Sequence, residues 1–102
     1  MRFCPWYPLA EAASRAPAGE GVLQLRVASG LVDYPRGKSA MVHYAHAGDV
    51  RATALALARD KGGELLCRHL EAEGSEVIDM AAAFARLVGE FERRFGARPG
   101  GS

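Results

Sequence analysis

The side chains of this sequence suited to a polyanion are Arg26, Arg36, Lys38, Arg51, Arg59, Lys61 and Arg68, whose cations can contact phosphate, and Tyr34 and Tyr44, whose rings can stack on a base. Thirteen Lys and Arg against twelve Asp and Glu leave a formal charge of +1. No global field then draws the chain to nucleic acid or anionic lipid, and any such contact must be a local patch. Solvation and pairing with Asp33, Asp60 and Glu64 account for several of the cations. Arg36 and Lys38 stand apart, because Pro35 and Gly37 set them in a restricted turn expected to project from the surface. Tyr44, beside Ala45 and Ala47, is expected over a shallow cleft left by those small residues. That makes it the best single site candidate, against the plainer reading of a half-buried strand tyrosine.

Metal and nucleotide chemistry find less support. His43, His46, His69, Cys67 and Asp49 are potential zinc ligands, but strand positions three apart point to opposite faces, so His43 and His46 converge only if His46 already lies in a turn. Gly37-Lys38-Ser39 resembles the end of a phosphate-binding loop, yet Val32 stands where that pattern has glycine, and a strand rather than a helix is expected after Ser39. No metal site is expected. Cys4 and Cys67 lie far apart without metal-ligand spacing and read as free thiols, which fits a reducing cytoplasm. No apolar run approaches the roughly 20 residues of a membrane span, so no membrane partner is expected.

With 102 residues, 49% of them hydrophobic, the chain suffices for one domain with a two-layer core. Pro8 to Ala16 reads as a short helix stopped by Pro17, with Trp6 and Tyr7 packed beneath it. Leu23, Leu25 and Val27 alternate with Gln24 and Arg26 as a half-buried strand requires. Leu31 to Ser39, broken by Pro35 and Gly37, is expected to be an irregular loop, and Met41 to Ala45 a second strand. Asp49 caps a helix stopped by Gly62-Gly63. Leu65 to Leu70 forms a third strand, and Ser75 caps a last helix whose apolar stripe runs from Val77 through Phe84 and Phe91 to Phe95 before Gly96. The order α-β-β-α-β-α predicts an α+β fold: a small, mostly antiparallel three-stranded sheet flanked by helices, over residues 1–97, with a disordered polar tail at 98–102.

Pro17 to Arg26, Val42 to Arg51 and the helix through Ala82 to Phe91 resemble, in pattern and order, the GIY-YIG nuclease family over residues 17–96. In that family a Gly-Ile/Val-Tyr strand precedes a Tyr-Ile/Val-Gly strand. An Asn/Asp-Leu helix start then leads to an essential arginine, and a glutamate on the last helix binds the divalent metal. Gly21, Val22, Tyr44, Asp49 and Val50 fit those motifs. Leu23 replaces the first tyrosine, Ala45 and His46 replace Ile/Val and Gly, Thr53 stands at the arginine position with Arg51 as a displaced substitute, and Phe84 stands at the glutamate.

Phosphodiester hydrolysis needs an activated oxygen nucleophile, charge stabilisation on the phosphoryl group and, as a rule, a carboxylate-held metal. Phe84 can hold no metal and Thr53 carries no charge, a loss exceeding the roughly 3 to 4 kcal/mol of one electrostatic donor. The resemblance therefore implies a catalytically silent module without a cofactor that binds nucleic acid or a protein through Arg36, Lys38, Tyr44 and Arg51, and the free thiols lead to the expectation that it is cytoplasmic. Two alternatives stay open. One is an active, magnesium-dependent endonuclease using Tyr44, Arg51 and Glu76; the other is a purely structural module that self-associates as a homodimer through a sheet edge.

Overall fold

The computed structural model describes residues 1–61 and 64–100. Along the chain, β1 (Arg2–Phe3) and β2 (Tyr7–Pro8) lead through a 3-10 turn at Leu9–Glu11 into α1 (Ala12–Arg15). Then follow β3 (Gly21–Val27), β4 (Val32–Tyr34), β5 (Gly37–Ser39), β6 (Met41–Ala47), α2 (Val50–Lys61), β7 (Leu65–Glu71) and α3 (Met80–Phe95). The α+β class is as expected. β3 runs between β6 and β7, and the two short N-terminal strands pair along the outer side of β7, all antiparallel.

The alternation in β3 sorts its side chains onto two cores. Leu23 and Leu25, fully buried, join Val50 and Ala54 of α2, Ala12 of α1 and Cys67 of β7. Val22, pointing the other way, joins Leu70 and Ala83, with Phe3, Phe84 and Leu87 packed against them under α3. Each large aliphatic side chain buried in this way stabilises the fold by roughly 1.5 to 3 kcal/mol relative to exposure. The helices therefore cover opposite faces of one sheet. Among the described residues, no helix is long and apolar enough to cross a membrane.

The structure corrects the sequence reading in four places. Residues 31–39 are not an irregular loop but a hairpin, in which Val32, Asp33 and Tyr34 pair with Ser39, Lys38 and Gly37. Pro35 sits in its two-residue turn, where its fixed φ suits a corner and its missing N–H leaves no ladder bond broken, and Gly37 takes φ 143°. Second, α3 begins at Met80, not near Ser75: Asp79 Oδ1 accepts the Ala82 N–H at 3.0 Å, and Val77, read as part of the stripe, is 94% exposed. Third, the N-terminal residues form strands, and Trp6 lies on the α3 face rather than beneath the first helix, whereas Tyr7 is buried as expected. Fourth, residues 98–100 of the polar tail lie against the body, with Pro99 buried and the Gly100 N–H donating to Tyr34 Oη at 3.1 Å. Asp49 caps α2 as expected, its Oδ1 accepting from Ala52 N at 3.1 Å. The expected stop at Gly62-Gly63 and residues 101–102 lie outside the described residues.

A buried polar group links the N-terminal strands to β7. Nδ1 of His69 lies 3.2 Å from the Tyr7 hydroxyl and 3.3 Å from Cys4 Sγ. Burial pushes the Cys67 thiol up to about 11 and raises the Tyr7 phenol as well. Both acids have folded values above their unfolded ones; the contribution of Cys67 is complete below the ordinary thiol value of 9.0 and is lost as pH climbs through about 11, whereas that of Tyr7 begins to fall only above 10.0 and persists to higher pH. The urea midpoint should therefore hold steady up to about pH 9 and decline toward pH 11, less steeply in Cys67→Ala. A midpoint in the wild type unaffected by that rise would contradict the burial of Cys67.

Candidate functional site

Tyr44 stands on the α3 face of β6, opposite Gln24, and floors a cleft of about 490 Å³ between the hairpin and the C-terminal half of α3. Met41, Leu87 and Phe91 make its apolar wall, while Lys38, Arg94 and Glu90 bring charge to it. The hairpin forms this wall because it is fastened to the helix. Tyr34 packs its ring 5.0 Å from that of Phe91 and donates its hydroxyl to the Met41 carbonyl at 2.5 Å. Arg36 Nη2 donates to the Arg93 and Glu92 carbonyls at 2.6 and 3.3 Å, setting a cation at the negative end of α3. Burial raises the Tyr44 phenol, an effect that Arg68 opposes and Glu90 reinforces. At neutral pH Tyr44 is then a neutral hydroxyl and not a phenolate, on a half-buried ring that packs edge-on to Phe91.

Across the same face the register sets Tyr44, Gln24 and Arg68 in one row. Gln24, 2% exposed, accepts the Arg68 Nε–H on its Oε1 at 2.8 Å. The Arg68 guanidinium lies 4.3 Å from the ring centres of both Phe3 and Trp6, and that of Arg26 lies 5.3 Å from Trp6. Burial lowers the Arg68 value, yet a guanidinium remains charged at physiological pH. The cleft thus draws its charge from Lys38, itself 3.6 Å from Asp33, and from Arg94 and Glu90, and on the same face of the sheet Arg26 and Arg68 share one indole.

The chain matches no family model, no curated protein and no solved structure.

Tyr44 and Lys38 share the cleft, whereas the other candidates from the sequence lie elsewhere. Arg51, at the start of α2 on the opposite face, donates its Nε–H to the Ala16 carbonyl at 2.7 Å. Glu76 precedes α3, and its Oε1 receives the N-terminal ammonium of Met1 at 2.7 Å and the Glu73 N–H at 3.1 Å; the first of these holds its carboxyl below the usual range. Arg36 spends its guanidinium on the α3 carbonyls. Tyr34 is buried against Phe91 and Phe95 and offers no free ring. Because β6 continues through Ala47, His43 and His46 face opposite sides, and His46 Nε2 lies 2.6 Å from Glu20 Oε2. Among the described residues no three His, Cys, Asp or Glu side chains gather as a metal-ligand set.

Arg94, Gln24 and Trp6 were not singled out by the sequence. Arg94 carried a signal, since it lies in the last turn of a helix whose apolar stripe fixes its direction. Gln24 and Trp6 carried none, because their roles follow from strand register.

Proposed function

We propose that this domain is a catalytically silent, GIY-YIG-like module that binds single-stranded nucleic acid through the Tyr44 cleft. One observation carries the reading: Tyr44, Lys38 and Arg94 line a common cleft, while Tyr44, Arg51 and Glu76, the set a nuclease would need, each engage a different part of the molecule. A half-buried tyrosine flanked by cations suits stacking on a base beside its phosphates, a sequence-tolerant mode of recognition. Hydrolysis would need the three dispersed groups brought within reach of one phosphate.

Anisotropy of a labelled oligonucleotide of about ten nucleotides at low salt tests the reading. Tyr44→Ala should weaken binding by about 1 to 3 kcal/mol, the range for one lost base-stacking ring. Lys38→Ala with Arg94→Ala should flatten the salt dependence by about 1.4 units of slope, two single-strand phosphate contacts. Cleavage of plasmid or branched DNA with magnesium or manganese, lost in Tyr44→Phe, would overturn the silent reading in favour of the nuclease. Absence of any oligonucleotide binding would overturn the nucleic-acid reading. A second reading, self-association through an open strand, has in its favour that β6 ends the sheet order; a concentration-dependent dimer in sedimentation would support it.

A further inference from the structure

We propose that Arg26 and Arg68, stacked on Trp6, form a second phosphate site that takes the sugar-phosphate backbone of the same single-stranded nucleic acid as it leaves the Tyr44 cleft. The proposal rests on the nucleic-acid reading above and extends it across the sheet. The apolar cluster beneath α3 takes in Val22, Leu70, Phe3 and Leu87, and Arg26 and Trp6 lie outside it. One corner of the face is thus left with two half-buried guanidiniums and an indole.

The charge arrangement asks for an anion. Among the described residues neither Arg26 nor Arg68 has a carboxylate in salt-bridge contact. Two like charges are held over one ring, close enough that Arg26 acts against the charged form of Arg68. Stacking on Trp6 offsets part of that repulsion, and a bound phosphate would remove the rest. The hydrogen bonding points the same way. Arg68 Nε is committed to the buried Gln24 and Arg26 Nε to the Val27 carbonyl. The terminal nitrogens of both, which fork onto phosphate oxygens, have no protein acceptor among the described residues. Gln24 thereby acts as a positioning residue, fixing one guanidinium from a site with almost no solvent contact. Tyr44 and Arg68 are two strands apart, about 10 Å at ordinary strand spacing, so one short segment of chain can reach both.

Trp6 is the only tryptophan, so its emission reports directly on this corner. Titrating the full chain with an oligothymidylate of about ten nucleotides at low salt should give a saturable change in Trp6 emission. Arg26→Glu should weaken binding by about tenfold or more, and Arg26→Ala should lower the salt slope by about 0.7. Arg68→Lys keeps the charge but loses the fork and the Gln24 bond; it should weaken binding about severalfold while its urea midpoint confirms folding. If Arg26→Glu binds as the wild type does and Trp6 emission is unmoved, while Tyr44→Ala still weakens binding, the arginine site is overturned and the cleft reading survives. If the wild type binds no oligonucleotide, both fall. A Trp6 response to phosphatidylserine vesicles but not to the oligonucleotide overturns the proposal in favour of a membrane surface.

Discussion

Phe91→Ala is expected to lower the unfolding free energy by about 3 to 5 kcal/mol, the range for removing a buried aromatic ring from a packed core. Phe91 is 6% exposed, and its ring centre lies 5.0 Å from Tyr34, 5.7 Å from Tyr44 and 4.5 Å from Phe95. It is therefore the shared contact of the helix, the hairpin and the cleft floor. A domain this small has roughly 5 to 15 kcal/mol of stability in all, so the loss is a large share of it. The hairpin should loosen first, because its other ties to α3 are Tyr34 packing on Phe95 and the backbone and guanidinium bonds of Arg36. Oligonucleotide binding should decline below the unfolding temperature of the variant, while Phe91→Leu should cost under about 2 kcal/mol. Urea unfolding followed by circular dichroism checks the first figure. A loss below about 1 kcal/mol would mean that the aromatic cluster does not hold the hairpin.

The long elements were legible because each buries one face over several turns or pleats. The stripe of α3 puts Ala83, Val88 and Phe91 inside, as helical periodicity requires, and the alternation of β3 puts Leu23 and Leu25 on one side. The short elements were not legible. A two-residue strand such as β1 has no period to detect, and its existence depends on the free edge of β7. The start of α3 was misread because Val77 and Ile78 prolong the apolar spacing. A single bond from Ala82 N to Asp79 Oδ1 selects the later start.

The site was legible in part for the same reason. Tyr44 could be singled out from its small neighbours, and Lys38 from its turn, since both judgements depend on adjacent residues. That Arg36 would be consumed by the end of α3 depends on a partner 56 residues away, and that Arg51 would turn to Ala16 depends on how α1 meets α2. The row of Tyr44, Gln24 and Arg68 depends on the register of three strands. Arg26 and Arg68 were visible as cations in the sequence, but not as a pair.

Gly21→Val is expected to cost about 3 kcal/mol, the upper end of ordinary overpacking. A Cβ on Gly21 would lie 2.6 Å from Cγ2 of Val50, a distance that real contacts do not reach. Val50 cannot yield easily: it is β-branched, 1% exposed and the first residue of α2, and its N–H is bonded to the Gly19 carbonyl at 2.9 Å. The strain must push α2 away from β3, opening the core that Leu23 and Leu25 share with Ala54. In the resemblance to the nuclease family Gly21 is the glycine of the first strand motif, and this close approach gives that glycine a packing reason independent of any chemistry. A double-mutant cycle with Val50→Ala separates the two. If packing is the cause, Gly21→Val should lose most of its cost in the Val50→Ala background, a coupling of about 1 to 3 kcal/mol. Additive costs in the two variants would instead show that Gly21 is required for something other than room for Val50.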